Sequence, residues 1–104
     1  MRRPADYDSV LSGGKRFSEP GLTAVVKIGT VTAPRLGLAI SSRVAHDAVD
    51  RNRIKRLARE SFRRHRAGLP NADIVILART GAAAARSADL RAMLERLWQR
   101  IRGA

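Results

Sequence analysis

Eight of the sixteen residues in the segment 51–66 are Lys or Arg, and Glu60 is its only acid. Arginine presents a planar, permanently charged fork that pairs bidentately with phosphate, so a cluster of this density is suited to binding a polyanion. The whole chain agrees with this, because 21 Lys and Arg residues stand against 9 Asp and Glu residues, for a formal net charge of +12. The charge therefore predicts a nucleic-acid partner.

The basic segment also carries apolar residues at helical spacing, which predicts a helix from Asp47 or Ala48 to Arg66 with Asp47 as its N-cap. At about 100° per residue, one face holds six residues suited to a core: Ile54, Leu57, Ala58, Ser61, Phe62 and His65. The adjacent face holds the cations and one amide: Arg51, Asn52, Lys55, Arg56, Arg59, Arg63 and Arg66. Like charges at i,i+4 repel by about 0.2–0.5 kcal/mol per pair, and bound phosphates would relieve this repulsion. A charged face that is merely solvated is the alternative.

Asn52 lies between two arginines in the first turn of this predicted helix. Asparagine is a mediocre helix former, so local capping of the helix is one explanation for its position. The other is recognition, because its amide both donates and accepts hydrogen bonds and can read a sugar hydroxyl or a base edge. The spacing leaves both explanations open.

The remaining sequence predicts the elements that hold this helix. A short N-terminal helix begins at Pro4 and ends at Gly13-Gly14, with Tyr7, Val10 and Leu11 on its buried face. Residues 22–28 and 35–41 alternate as strands, and residues 73–79 form an apolar strand buried on both faces. The inward residues of the first two strands are Leu22, Ala24, Val26, Ile28, Leu36, Leu38 and Ile40. Ser87 is the expected cap of a last amphipathic helix.

The order of these elements predicts one α+β domain spanning residues 1–104, with its sheet covered mainly on one face by helices. The strand-rich flanks of the basic helix lack the partner helix that a helix-turn-helix DNA reader needs, so we expect no DNA partner. The chain has no cysteine, and no Ser-His-Asp set, Walker loop or zinc pattern is present, so a self-sufficient protein nuclease is the least favoured class. No apolar run reaches the roughly 18–20 residues of a membrane span and no signal-peptide pattern opens the chain. We expect a cytoplasmic protein without a membrane partner.

Two stretches of the chain resemble the protein subunit of bacterial ribonuclease P. They are Leu-Gly-Leu-Ala-Ile-Ser-Ser-Arg at 36–43 and Ala-Val-Asp-Arg-Asn-Arg-Ile-Lys-Arg-Leu-Ala-Arg-Glu-Ser-Phe-Arg at 48–63. The resemblance implies a ribonucleoprotein that removes the 5′ leader of precursor tRNA. In that enzyme the RNA is catalytic and uses Mg²⁺, and the protein supplies no catalytic side chain. The implied fold is a two-layer α-β sandwich with a four-stranded mixed sheet, like domain 2 of ribosomal protein S5, with a left-handed β-α-β crossover through the basic helix.

The resemblance also assigns roles to residues. Contact with the catalytic RNA is implied for six residues of the motif: Arg51, Asn52, Arg53, Lys55, Arg56 and Arg59. The charge pattern adds Arg63 and Arg43 to these expected RNA contacts. A cleft for the leader is expected at Tyr7, Leu11, Phe17 and Lys27, where the Tyr7 ring could stack on a base. Ordinary core packing is the alternative for Tyr7.

This chain departs from the family pattern in two places. Many members have two basic residues where this chain has Ser42-Arg43, and some have aromatic residues where this chain has Ala24, Val25 and Val26. We therefore expect leader affinity to depend more on charge than on stacking. A structural RNA-binding protein of the ribosome or of its assembly is the alternative function.

Overall fold

The computed structural model describes residues 4–29 and 31–103, with side chains from Tyr7 onward. Its helices are α1 (Pro4–Gly13), α2 (Ala48–His65) and α3 (Ser87–Arg102). Its strands are β1 (Lys15–Ser18), β2 (Leu22–Ile28), β3 (Arg35–Ala39) and β4 (Ala72–Ala78). A 3₁₀ turn, Arg66–Gly68, continues α2.

The four strands form one mixed sheet in the order β1-β2-β4-β3. The β1–β2 and β2–β4 pairs are antiparallel, and β3 and β4 are parallel. Parallel neighbours need a crossover connection, and α2 provides it. The α+β class and the four-stranded mixed sheet are therefore confirmed, while the left hand of the crossover stays a prediction. In this order β1 and β3 are the two edge strands.

Alternate residues of the strands face two separate cores. The larger core lies under α2 and α3 and includes Leu22, Ala24, Val26, Ile54, Leu57, Ile74, Ile76, Leu94 and Trp98. On the other face of the sheet, Val10 of α1 packs on Val25 of β2 and Val75 of β4. The central strands β2 and β4 are consequently buried on both faces, as predicted for β4 alone. The apolar contact of Val10 with Val25 and Val75 holds α1 against the sheet.

Several details differ from the predictions. Ile28 was expected inward but is 55% exposed, because it is the last residue of β2 and extends beyond the covering helices. Strand β1 was not predicted, because it has four residues of which only Phe17 is buried, too short for an alternating pattern. β3 ends at Ala39, two residues before its predicted end, since Ser41 begins a turn in which its carbonyl accepts the Ala45 amide at 3.0 Å.

The helix termini also differ from the predictions in their capping. Asp47 is the N-cap of α2, as predicted, but its side chain makes no capping hydrogen bond. The N-cap of α3 is Arg86 rather than Ser87. The Ser87 hydroxyl instead accepts a hydrogen bond from Arg53. His65 lies where α2 meets α3, with its Nε2 atom 2.6 Å from Glu95 Oε2.

Candidate nucleic-acid interface

The buried face of α2 fixes the helix to the rest of the domain. Ile54, Leu57, Ala58 and Ser61 are buried, and the Trp98 indole N–H of α3 donates a 2.7 Å hydrogen bond to Ser61 Oγ. The Phe62 ring meets the Trp98 ring edge-on, with centroids 5.9 Å apart. Because one face of α2 is held in this way, the adjacent cationic face has a defined direction.

That cationic face forms one wall of a groove of about 690 Å³. The opposite wall is the edge strand β3, and Tyr7 of α1 closes one side. The lining residues are Tyr7, Pro34, Arg35, Leu36, Leu38, Lys55, Arg59, Phe62, Arg63 and Arg66. Aromatic and aliphatic surface thus lies beside five cations, which suits a single-stranded nucleic acid whose bases stack while its phosphates are neutralised.

A partly buried ion pair joins Arg35, in the β3 wall of the groove, to Asp73 of the neighbouring strand β4. Arg35 Nε and Nη2 donate hydrogen bonds of 2.6 and 2.9 Å to the two carboxylate oxygens of Asp73. The Asp73 side chain is 8% exposed, whereas the Arg35 side chain is 42% exposed. Since a buried carboxylate is strongly penalised without a partner, this bidentate pair fixes the Arg35 guanidinium at the groove.

Two of the predicted RNA contacts are hydrogen-bonded within the chain. Arg51 Nη1 donates to the carbonyls of Ala45 and His46, at 2.8 and 2.7 Å. Arg53 donates to Ser87 Oγ at 3.2 Å and to the Ala83 carbonyl at 3.0 Å. These bonds tie α2 to the segment before it and to the start of α3.

The other predicted RNA contacts lie at the surface. Lys55 is half-buried in the groove wall, and four side chains are exposed along α2: Asn52, Arg56, Arg59 and Arg63. Arg56 Nε is 3.9 Å from Glu60 Oε1, one helical turn further along α2. Arg43 is exposed in the turn after β3, where its backbone amide donates to Ser41 Oγ at 3.0 Å.

The structure brings together three of the four residues predicted for the leader cleft. Tyr7 and Leu11 are partly buried beside the Val10 cluster under α1. Lys27 Nζ donates a 2.8 Å hydrogen bond to Ser9 Oγ of α1. Phe17 does not join them, because it lies in the larger core on the opposite face of the sheet and is only 6% exposed.

Sequence reasoning missed Arg35 and the half-buried Phe62 as parts of the groove, and Asp73 as the partner that holds Arg35 there. One signal was available for this ion pair. Arg35 and Asp73 each open a predicted strand, and parallel pairing of those strands aligns them as register partners, as the structure shows. The sequence alone did not say which strands pair, so the alignment could not be derived.

Among the described residues, no three His, Cys, Asp or Glu side chains lie close enough together to hold a metal ion. Within the same residues, no helix is long and apolar enough to cross a membrane.

The fold and the groove define an α+β domain with a cationic crossover helix. The Ribonuclease P family model matches residues 1–102. The ribonuclease P protein component of Thioalkalivibrio sulfidiphilus is 43% identical over 101 residues, covering 97% of this chain and 84% of the relative. That of Methylococcus capsulatus is 44% identical over 98 residues, covering 94% and 77%.

Solved structures agree with the sequence relatives. The RNase P protein of Staphylococcus aureus superposes with a TM-score of 0.88 at 25% identity, covering 95% of this chain and 91% of that one. The Thermotoga maritima RNase P protein gives a TM-score of 0.84 at 25% identity, covering 97% and 96%. The chain belongs to the ribonuclease P protein family. Membership implies an RNA partner in a ribonucleoprotein, and these relatives favour it over the ribosomal alternative.

Proposed function

We propose that this chain binds the catalytic RNA of ribonuclease P through α2 and holds the 5′ leader of precursor tRNA in the groove. In this role it assists the endonucleolytic cleavage that produces the mature 5′ end of tRNA. The RNA subunit performs the chemistry, and the protein contributes binding and orientation.

The observation that carries the proposal is that one residue of the predicted leader cleft lines the same groove as three cations of the basic helix. Tyr7, expected to stack on a leader base, shares the groove with Lys55, Arg59 and Arg63 of the basic helix. A flexible single strand is bound by both kinds of side chain, because aromatic rings stack on bases of any identity and cations neutralise the phosphates along the backbone.

The exposed part of α2 faces two directions, which supports a separate surface for each RNA partner. Lys55 and Arg63 point into the groove, whereas Asn52 and Arg56 line a different surface on the same helix. Arg59 borders both. The groove side serves the leader, and the Asn52–Arg56 side serves the catalytic RNA.

Mg²⁺ enters this proposal as an ion of the holoenzyme. As the family resemblance implies, we expect these ions to be bound mainly through the RNA. The basic groove lowers the electrostatic repulsion between two RNA backbones that must approach each other.

Reconstitution with the catalytic RNA tests the proposal. Lys55→Gln and Arg63→Gln should weaken binding of leader-containing substrate several-fold and leave binding of leaderless tRNA nearly unchanged. Each should also lower the salt dependence of leader binding by about one phosphate contact. Arg91→Gln is the matched control, because Arg91 is an exposed arginine on α3 outside the groove. Equal losses for both substrates would overturn the assignment of the groove to the leader.

Depletion in cells tests the proposal at a coarser level. We expect tRNA precursors with intact 5′ leaders to accumulate. Normal tRNA 5′ ends together with defective ribosomal subunits would contradict the proposal and restore the ribosomal alternative.

A further inference from the structure

A second group of cations lies at the opposite edge of the sheet from the groove. The groove is bordered by the edge strand β3, whereas this group lies where the other edge strand, β1, meets α3. Two strands separate β1 from β3, so the two edges are about 14 Å apart at the usual spacing of neighbouring strands. The group, which we call the β1–α3 cluster, consists of Lys15, Glu19, Arg79, Arg96 and Arg100.

A single carboxylate organises the β1–α3 cluster. Glu19 directly follows β1, and its side chain is only 10% exposed. Its Oε1 atom accepts a 2.6 Å hydrogen bond from Arg96 Nε, and its Oε2 atom lies 3.4 Å from Arg100 Nη1. Arg100 Nη1 also donates to the Ser18 carbonyl at 2.8 Å, and Arg79 Nη1 donates to the Glu19 carbonyl at 3.2 Å. Three guanidinium groups are therefore held in defined positions around one largely buried acid.

The cluster keeps a positive charge after these bonds are made, because four cations against one acid leave a formal charge of +3. A guanidinium has five N–H groups, and the side chains of Arg96 and Arg100 are 51% and 47% exposed. About half of each side chain is thus accessible to a ligand although one of its edges is bonded to Glu19. A guanidinium that is already held in place loses less conformational entropy when it binds an anion. The cluster is therefore suited to binding phosphate groups.

The cluster differs from the groove in offering no exposed aromatic ring within the part of the chain that the structure describes. Phe17 is the aromatic residue beside it, and that side chain is 6% exposed. Lys15 Nζ and Arg100 Cζ lie over its ring, 5.3 and 5.6 Å from the centroid, at cation–π distance. Proteins bind single strands largely by stacking bases on aromatic rings, whereas they contact double-stranded RNA mostly at its phosphates and 2′-hydroxyl groups. A surface of cations alone favours the base-paired form.

The same edge is poorly suited to pairing with a second copy of the chain. Strand β1 is four residues long and carries two exposed cations, Lys15 and Arg16. Short, charged edge strands resist the addition of another strand, and two chains of net charge +12 repel each other. A polyanion is the partner that relieves this charge.

We propose that the β1–α3 cluster binds the phosphate backbone of a base-paired RNA segment, as a contact separate from α2 and from the groove. Arg96 and Arg100 donate hydrogen bonds to the phosphates, and Lys15 and Arg79 add to the positive potential. The base-paired segment is supplied by the catalytic RNA or by a stem of the tRNA, since both present the same backbone. The inference rests on the RNA partner that family membership implies, and it goes beyond the proposed function, which places no RNA contact at this edge.

Binding at several salt concentrations tests the proposal in two arms. One arm uses the full chain with the catalytic RNA, and the other uses the assembled holoenzyme with leaderless tRNA. In one of these arms, Lys15→Gln and Arg96→Gln should each weaken binding roughly 5- to 10-fold at about 0.1 M salt and lower the salt slope by about one. A loss in the first arm assigns the segment to the catalytic RNA, and a loss in the second assigns it to the tRNA.

Two variants serve as controls for the charge and for the surface. Arg96→Lys keeps the charge and should keep the salt slope. Arg91→Gln removes a cation from the same helix and should bind as the unchanged protein does. Arg91 precedes Arg96 on α3 by five residues, so it points about 140° away around the helix axis.

Thermal unfolding of each variant separates RNA binding from packing. Lys15→Gln breaks none of the hydrogen bonds to Glu19 and should leave the melting temperature nearly unchanged. Losses of affinity that follow the melting temperature and leave the salt slope unaltered would overturn the proposal, because the cluster would then only tie β1 to α3. Unchanged binding in both arms, or an equal loss with Arg91→Gln, would also overturn it. Poly-glutamate binding that Lys15→Gln and Arg96→Gln abolish, with RNA binding unchanged, would assign the surface to an acidic protein instead.

Failure of this proposal is distinguishable from failure of the proposed function. Lys55→Gln tests the groove and Arg56→Gln tests α2 in the same assays. If those two variants bind normally while the cluster variants lose affinity, the proposed function is contradicted and the β1–α3 contact stands. The reverse pattern would overturn the β1–α3 contact and leave the proposed function intact.

Discussion

The indole N–H of Trp98 on α3 donates a 2.7 Å hydrogen bond to the hydroxyl of Ser61 on α2, and both residues are buried. This bond is a buried polar contact between the two helices that support the basic surface. It fixes the rotation of α2 about its own axis, and with it the direction in which the cations point.

Ser61→Ala should destabilise the domain by about 1–3 kcal/mol, because the buried indole N–H then lacks its acceptor. Thermal unfolding measures this, since a domain of this size loses roughly 4–8 °C of melting temperature per kcal/mol. Ser12→Ala is the control, because the Ser12 hydroxyl bonds to the Asp8 carbonyl at an exposed site. Equal effects of the two substitutions would contradict the structural role of the Trp98–Ser61 bond.

Replacing Arg35 and replacing Asp73 should destabilise the domain by different amounts. Arg35→Met leaves a carboxylate that is 8% exposed without its bidentate partner, whereas Asp73→Asn leaves a guanidinium that is 42% exposed and accessible to water. We expect Arg35→Met to lower the free energy of unfolding by about 3 kcal/mol and Asp73→Asn to lower it by clearly less. Denaturant unfolding of the two variants gives the comparison, and a larger loss for Asp73→Asn would contradict it.

The junction between α1 and β1 is predicted to reject a side chain at Gly14 and accept one at Gly13. A Cβ atom at Gly14 would lie 2.6 Å from the Val10 carbonyl oxygen and 2.7 Å from Val25 Cγ1, whereas one at Gly13 meets nothing nearer than 3.7 Å. Gly14→Ala should destabilise the domain by about 1–3 kcal/mol through overpacking. Gly13→Ala lies within α1 and should be neutral or stabilising by up to about 1 kcal/mol. Chemical denaturation of the pair tests both signs.

Tyr7 should contribute to leader affinity through its ring. Tyr7→Ala should weaken binding of leader-containing precursor by about 1–3 kcal/mol, the usual value of one base stacked on an aromatic side chain. Tyr7→Phe should retain most of the affinity, and leaderless tRNA should bind both variants equally well. Equilibrium binding to the reconstituted holoenzyme measures these differences. A loss of stability without any loss of leader affinity would show that the ring serves core packing instead.

The contrast between α2 and β1 shows what a local pattern can predict. The core and cationic faces of α2 follow from residue spacing, because helical geometry assigns a direction to every side chain. Strand β1 has four residues and one buried side chain, so its pairing with β2 depends on the hairpin rather than on its own sequence. The face of the sheet on which Phe17 lies is likewise set by its register with Ala24, so the sequence of β1 alone did not determine it.

The sequence by itself determined the cationic helix, its buried stripe and the family to which the chain belongs, because these depend on residue type and on spacing within one element. Only the tertiary structure decided that Arg35 meets Asp73, that Arg53 is held against Ser87, and that Tyr7 shares a groove with Lys55 and Arg59. These relationships join residues 30 or more positions apart along the chain. They depend on which strands pair and on which face each helix packs, and packing across elements decides both.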